Sequence, residues 1–220
     1  MMKQEALRII HNCALEYKDN LVNKNIIFIT LCNGSIAFFE TAYLPRNFLH
    51  LTGVNSNLKS VDFYDLAVRD RLNERDFHFN SDGTTNQKLM ILPKLMRIHM
   101  IARMVGDYDN SKSLLITDKI AGTVGAAMGF TKNGENESSL YVPNTALNTD
   151  MRLITRKPVK RVAMIFIKNK YDDRYYELTY IAKGLTFDLL ELHSNIKTKI
   201  DEKRISASFR IPYKELDSNY

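Results

Sequence analysis

The run from Val159 to Ile167 constrains the fold of this chain more than any other segment. It is apolar on both alternating faces, and such a strand has to be covered on both sides, as at the centre of a sheet. Its neighbours supply partners. Tyr171-Asp172-Asp173 turns the chain and Arg174 to Ala182 returns, with Tyr176 and Tyr180 on one face by simple alternation. Upstream, Gly122, Gly125 and Gly129 interrupt a stretch that reads as a bent or bulged strand. Leu114-Leu115-Ile116 and Ser139 to Val142 are further short β-rich runs. A turn at Asn133-Gly134-Glu135-Asn136-Glu137 introduces the second, and Pro143 ends it.

The first half of the chain has a different period. Leu7, Ile10, Ala14, Tyr17 and Leu21 recur at intervals of three and four, which predicts an amphipathic helix over residues 2–22. Asn33-Gly34, between Ile26–Leu31 and Ser35–Thr41, is a hairpin signal. Ser60 serves as N-cap for a helix through about Arg71, with Phe63, Leu66 and Ala67 inward. Residues 72–83 read as a polar loop, and 85–105 as a second helix started or kinked by Pro93. Two helices followed by about four mostly antiparallel strands predict an α+β fold with the helices on one face of the sheet. Residues 1–44 form an N-terminal helix and hairpin unit, 45–184 the main domain. Residues 185–220 form a C-terminal appendage, with a helix near 186–200 and a strand at 205–211.

Composition narrows the function. No apolar stretch approaches the roughly 20 residues of a membrane span, and the segment Met1-Met2-Lys3-Gln4-Glu5 lacks the apolar core of a signal peptide. A cytoplasmic protein with reduced, unbridged Cys13 and Cys32 is the expectation. The histidines at 11, 50, 78, 99 and 193 show no ligand-like spacing, so neither metal nor cofactor is expected. The phosphate loop, the Gly-x-Ser-x-Gly elbow and the His-Glu-x-x-His helix are all missing. The formal net charge is +6. Residues 151–183 carry nine basic and three acidic side chains, an excess of six that equals the whole. Arg152, Arg156, Lys157, Lys160 and Arg161 lead that stretch and favour a polyanionic partner, either nucleic acid or a complex that handles it. A solvated sheet face is the other reading of the same charges.

One phrase carries chemistry. In Phe48-Leu49-His50-Leu51-Thr52-Gly53-Val54 an imidazole and a hydroxyl stand two residues apart among apolar neighbours. Read as a short extended segment, it projects His50 and Thr52 to one side, with His50 as a general acid or base. The competing reading is a structural histidine bonded to a backbone carbonyl.

That phrase is followed by Phe63-Tyr64, Thr84-Thr85-x-x-Lys88-Leu89, Thr117-Asp118-Lys119, Gly129-Phe130 and Tyr141-Val142-Pro143-Asn144. Together, over roughly residues 45–183, they resemble a phage-associated nuclease family of the group that includes barnase, EndoU, the tRNA-cleaving colicins and RelE. The resemblance implies a ribonuclease domain in a bacterial host cell, cleaving RNA without metal through the substrate's own 2′-hydroxyl. His50 then serves as acid or base, while Thr52 and Lys88 contact the phosphate. Lys119 adds charge unless it merely pairs with Asp118, and Tyr141 and Asn144 contact bases. A second implication is a catalytically silent phage protein that uses the same scaffold to block a host nucleic-acid-handling or defence complex, such as a CRISPR effector.

Overall fold

The computed structural model describes residues 1–111, 117–134, 140–187 and 192–208. Helix α1 (Lys3–Asn20) buries Ala6, Ile10, Cys13, Ala14 and Tyr17, an inward stripe of the predicted kind. Strands β1 (Lys24–Cys32) and β2 (Ser35–Ala42) follow as an antiparallel hairpin. Asn33 and Gly34 turn it with φ of 49° and 78°, the doubly positive backbone that a two-residue hairpin requires. A 3-10 turn (Pro45–Asn47) leads into α2 (Phe48–Thr52), β3 (Val54–Ser56), α3 (Ser60–Val68) and β4 (Phe77–Phe79). β3 and β4 pair into a small two-stranded sheet.

Helix α4 (Thr84–Leu95) stops well short of the predicted end at 105. Pro93 does not start it but lies in its last turn, where a missing N–H and a bulky ring favour termination. The short α5 (Ile98–Ile101) follows, and Met104 opens strand β5 (Met104–Asp107). Then come β6 (Lys119–Gly122), β7 (Ala127–Lys132), β8 (Tyr141–Leu147), α6 (Met151–Ile154), β9 (Lys160–Asn169) and β10 (Glu177–Ile181). The run Leu114-Leu115-Ile116, residues 135–137 of the predicted turn and Ser139 lie outside the described residues.

Among the described residues the main sheet has eight strands, ordered β1-β2-β8-β7-β6-β5-β9-β10, where about four were expected. The α+β class and the mostly antiparallel character hold, with one parallel link at Thr41 and Tyr141. The count doubles because the front hairpin joins the sheet. β1 pairs with β9 from Lys24 opposite Asn169 to Leu31 opposite Arg161. That pairing also curls the sheet on itself, since the chain of partners returns from β9 to β1. β9 is central as predicted: Val162, Met164, Ile165 and Phe166 are fully buried and Ile167 is nearly so.

One face carries the helices. Ile26, Phe28, Phe39, Met128, Phe130 and Ile165 pack there with Tyr17, Phe48, Phe63 and Leu89. On the other face, Ile27, Ile29, Met164 and Phe166 lie under the C-terminal appendage through Leu192, Ile196, Ile200 and Ile205. The appendage holds α7 (Ser194–Lys197) and α8 (Glu202–Ser208), so the first part of the strand predicted at 205–211 is helical. Residues 188–191 of the predicted helix and 209–211 of the predicted strand lie outside the described residues. Glu40 of β2 pins the appendage. Its carboxylate accepts from the Tyr175 hydroxyl at 3.0 Å and pairs with Lys199 at 2.8 Å. A bulge at Thr179 shifts β10 by one residue. Tyr180 therefore joins the helix-side core, while Tyr176 stacks under Arg204 and not beside it as alternation predicted.

His99 of α5 is 7% exposed, and its Nδ1 is buried without a hydrogen-bond partner. Burial, aided by Lys24 and Arg97, pushes its pKa from 6.5 down to about 4. The fold therefore prefers the neutral ring. That preference is fully present above pH 6.5 and is lost as pH falls from 6.5 towards 4, where the unfolded chain takes up the proton first. A difference of this size corresponds to about 3 kcal/mol. Melting temperatures of wild type and His99→Leu, measured from pH 7 to 4, should show the wild type losing stability relative to the variant as pH falls, because it alone loses this share.

Candidate active site

The His50 segment is a helix and not an extended strand. Pro45 opens the preceding 3-10 turn with its fixed φ, and Phe48 and Leu51, three residues apart, are both fully buried. Phe48 sits 5.3 Å from the Tyr17 ring and 5.7 Å from that of Tyr64. In a helix, neighbours two apart point to different sides. His50 is therefore exposed, and Thr52 is fully buried. The Thr52 hydroxyl donates to the Leu49 carbonyl at 2.7 Å and accepts from the Val54 N–H at 3.3 Å. It holds the end of α2 and does not share an outer face with His50.

Lys88 does meet His50. From α4, its Nζ donates to the His50 carbonyl oxygen at 3.2 Å. Its stem lies across Gly53, which caps α2 with φ of 68°. A Cβ on Gly53 would come within 2.5 Å of Lys88 Cδ, so this glycine answers both a backbone and a packing demand. Partial burial, then the Lys88 charge, lowers the His50 pKa below 6.5. Burial likewise lowers that of Lys88, with Asp82 opposing.

A clamp around the Gly53 carbonyl keeps the two helices in register. Thr85 Oγ1 donates to it at 2.5 Å and Asn80 Nδ2 at 3.1 Å. The Asn80 N–H in turn donates to Thr85 Oγ1 at 2.9 Å, and Asn55 Nδ2 donates to Asn80 Oδ1 at 2.5 Å. Sequence reasoning missed Asn80 and Asn55. The spacing Thr85-x-x-Lys88, one helical turn, was the available signal for Thr85.

A cleft of about 320 Å³ opens where β5 and β7 end and β6 and β8 begin. Asp107, Thr117, Lys119, Lys132, Tyr141 and Arg156 are among its lining residues. Lys119 pairs with Asp107, its register partner on β5, and not with Asp118. Adjacent strand residues face opposite ways, whereas register partners face each other. Asp118 instead accepts from the Thr131 hydroxyl at 3.2 Å and the Lys132 N–H at 3.1 Å. Burial works against the Asp107 charge, but the hydrogen bond and charge of Lys119, then Lys160 and Arg156, outweigh it. The carboxyl is held below its usual range. Tyr141 is half-buried, with its ring edge-on to Phe39 at 5.9 Å. Asn144, on the bulge of β8, bonds Thr117 at 3.3 Å.

The residues of the basic stretch have different surroundings. Exposed Arg156 and half-buried Lys160 lie by Asp107, and the Arg156 N–H donates to the Asp107 carbonyl at 2.9 Å. Arg152 is paired with Asp150 at 2.5 Å, Arg161 donates to the Lys183 carbonyl at 3.2 Å, and Lys157 is exposed. Among the described residues, no group of three or more His, Cys, Asp or Glu side chains is arranged to hold a metal ion. No helix among them is long and apolar enough to cross a membrane.

His50 and the cleft share surroundings. α2 and α4 both pack on β8, whose first residue, Tyr141, lines the cleft. Arg46, four residues before His50, donates to Asn133 Oδ1 at 3.0 Å, just past the end of β7. This assembly of short helices, curled antiparallel sheet and basic cleft belongs to a nuclease family. A family model described as phage-Barnase-EndoU-ColicinE5/D-RelE like nuclease4 matches residues 9–184, and the chain is a member of that family. No curated protein and no solved structure matches the chain.

Gly53→Ala should cost about 1–2 kcal/mol through the left-handed backbone alone. It should also lift Lys88 off α2, seen as a rise of the His50 pKa towards 6.5 in an NMR titration.

Proposed function

We propose that this protein is a metal-independent endoribonuclease whose proton-transfer group is His50. The observation that carries this reading is the contact of the half-buried Lys88 ammonium on α4 with the backbone carbonyl of His50 on α2, which brings its charge to bear on the exposed His50 imidazole, in a chain of a nuclease family. Its depressed pKa leaves His50 neutral at pH 7, ready to accept a proton. His50 takes the proton of a 2′-hydroxyl, and that oxygen forms a bond to phosphorus. The bond to the 5′-oxygen breaks, and the leaving oxygen takes a proton from water, which gives a 2′,3′-cyclic phosphate and a free 5′-hydroxyl. Lys88 gives one N–H to the His50 carbonyl and has two left for the phosphate, whose charge grows in the transition state. Thr52 contributes by holding the end of α2. Lys119, Tyr141, Asn144 and the basic residues Arg152, Arg156, Lys157, Lys160 and Arg161 form the RNA path, with Arg156 and Lys160 nearest the cleft.

The test is cleavage of single-stranded RNA in EDTA, with cyclic-phosphate ends on the products. His50→Ala should lower the rate by about a hundredfold or more. Its melting temperature should barely move, because the ring is exposed. The rate should fall at acid pH with a midpoint below that of a free imidazole, as the base becomes protonated. Wild-type protein that binds RNA but cleaves none would favour the silent binding protein instead.

Binding should weaken steeply with salt through counterion release. Replacing Arg156 and Lys160 with Ser should flatten that slope more than replacing Arg152 and Arg161, which are already engaged with protein oxygens. Equal effects of the two double variants, read from log Kd against log salt, would show that the cleft has no special part in binding.

A further inference from the structure

We infer that the cleft at the ends of β5–β8 holds one unpaired nucleotide of the RNA and selects bases that carry an exocyclic amino group over uracil. This rests on the ribonuclease reading for its RNA, though its test does not depend on cleavage. The space, about 320 Å³, is of the size of a single nucleotide. A base can enter only when unstacked, as single-stranded recognition requires.

The charge pattern separates this cleft from a plain backbone groove. A groove that only follows phosphates needs cations, and carboxylates inside it repel the substrate. Here two carboxylates sit among Lys119, Lys132 and Arg156: Asp118, whose Oδ2 accepts from the Thr131 hydroxyl and the Lys132 N–H, and Asp107. The Asp107 carboxylate is ionised at neutral pH, so it accepts hydrogen bonds and donates none. Oδ1 meets Lys119, while Oδ2 has no bond among the described residues, on a side chain 47% exposed. Adenine, cytosine and guanine each offer amino donors to such an oxygen. Uracil offers one imino N–H between two carbonyl oxygens that a carboxylate repels. Tyr141, steadied by Phe39, supplies a ring for the base to stack on. The exposed Lys132 and Arg156 stand ready for the flanking phosphates.

The experiment is calorimetric titration of the full chain with the four nucleoside 3′-monophosphates. The amino-bearing three should bind about tenfold tighter than 3′-UMP, the scale of a charge-assisted hydrogen bond. Asp107→Asn should erase that difference, because an amide both donates and accepts. Tyr141→Leu should weaken all four by about tenfold and keep their order. This second variant leaves the Asp107–Lys119 pair intact, so it guards against a folding defect in the first. Equal binding of all four by wild type, no binding at all, or a preference that survives Asp107→Asn would overturn the inference. Selective binding without any cleavage would sink the nuclease reading and leave this one standing. Cleavage with no base preference in binding would do the reverse.

Discussion

The pairing of β9 with β1 is the contact on which the rest of the structure depends. β9 meets β1 along one edge, and β10 and β5 along the other. It thereby joins the front hairpin, the glycine-rich strands and the last hairpin into one curled sheet. Its six central residues, Val162 to Ile167, are buried on both faces, and full burial of each large side chain contributes about 1.5–3 kcal/mol. Removing that strand would expose the helix-side core and the seat of the C-terminal appendage together. Cover on both faces is what keeps so apolar a strand in place.

Short elements at the margin of that core build the candidate site. α2 has only five residues and would not persist alone. It is fixed inside by Phe48 and Leu51, and outside by the clamp on the Gly53 carbonyl. The clamp works because Asn80, just past β4, and Thr85 in the first turn of α4 converge on one oxygen, with Asn55 of β3 bracing Asn80. Rigid support on the inner side, with an exposed imidazole on the outer, is the arrangement a proton-transfer group needs. Lys88 gains from the same packing, since burial of its stem limits where its ammonium can go.

The cleft follows another logic. Its charges come from strand ends, where curvature brings Asp107, Lys119, Lys132 and Tyr141 to one end of the sheet. Carboxylate and ammonium groups together fit a surface that reads hydrogen-bonding edges as well as backbone charge. The two sites meet through β8 and through the contact of Arg46 with Asn133.

What the sequence determined by itself is what depends on near neighbours. The burial of Val162 to Ile167, the stripe of α1, the Asn33-Gly34 hairpin and the α+β class all follow from local period and turn chemistry, properties of single segments. The FLHLTG phrase and Lys88 drew attention through their resemblance to a nuclease family, since the local chemistry of one histidine and one lysine fits a structural role as well. The tertiary structure alone decided the contacts between distant segments. His50 and Thr52 part company because the core claims Phe48 and Leu51 with a helical spacing. Lys119 meets Asp107 and not Asp118 because strand register sets the pairing. Tyr176 and Tyr180 face opposite sides because one bulge reverses alternation. Register, bulges and carbonyl clamps arise from packing energies summed over residues far apart in the chain, which local period does not encode.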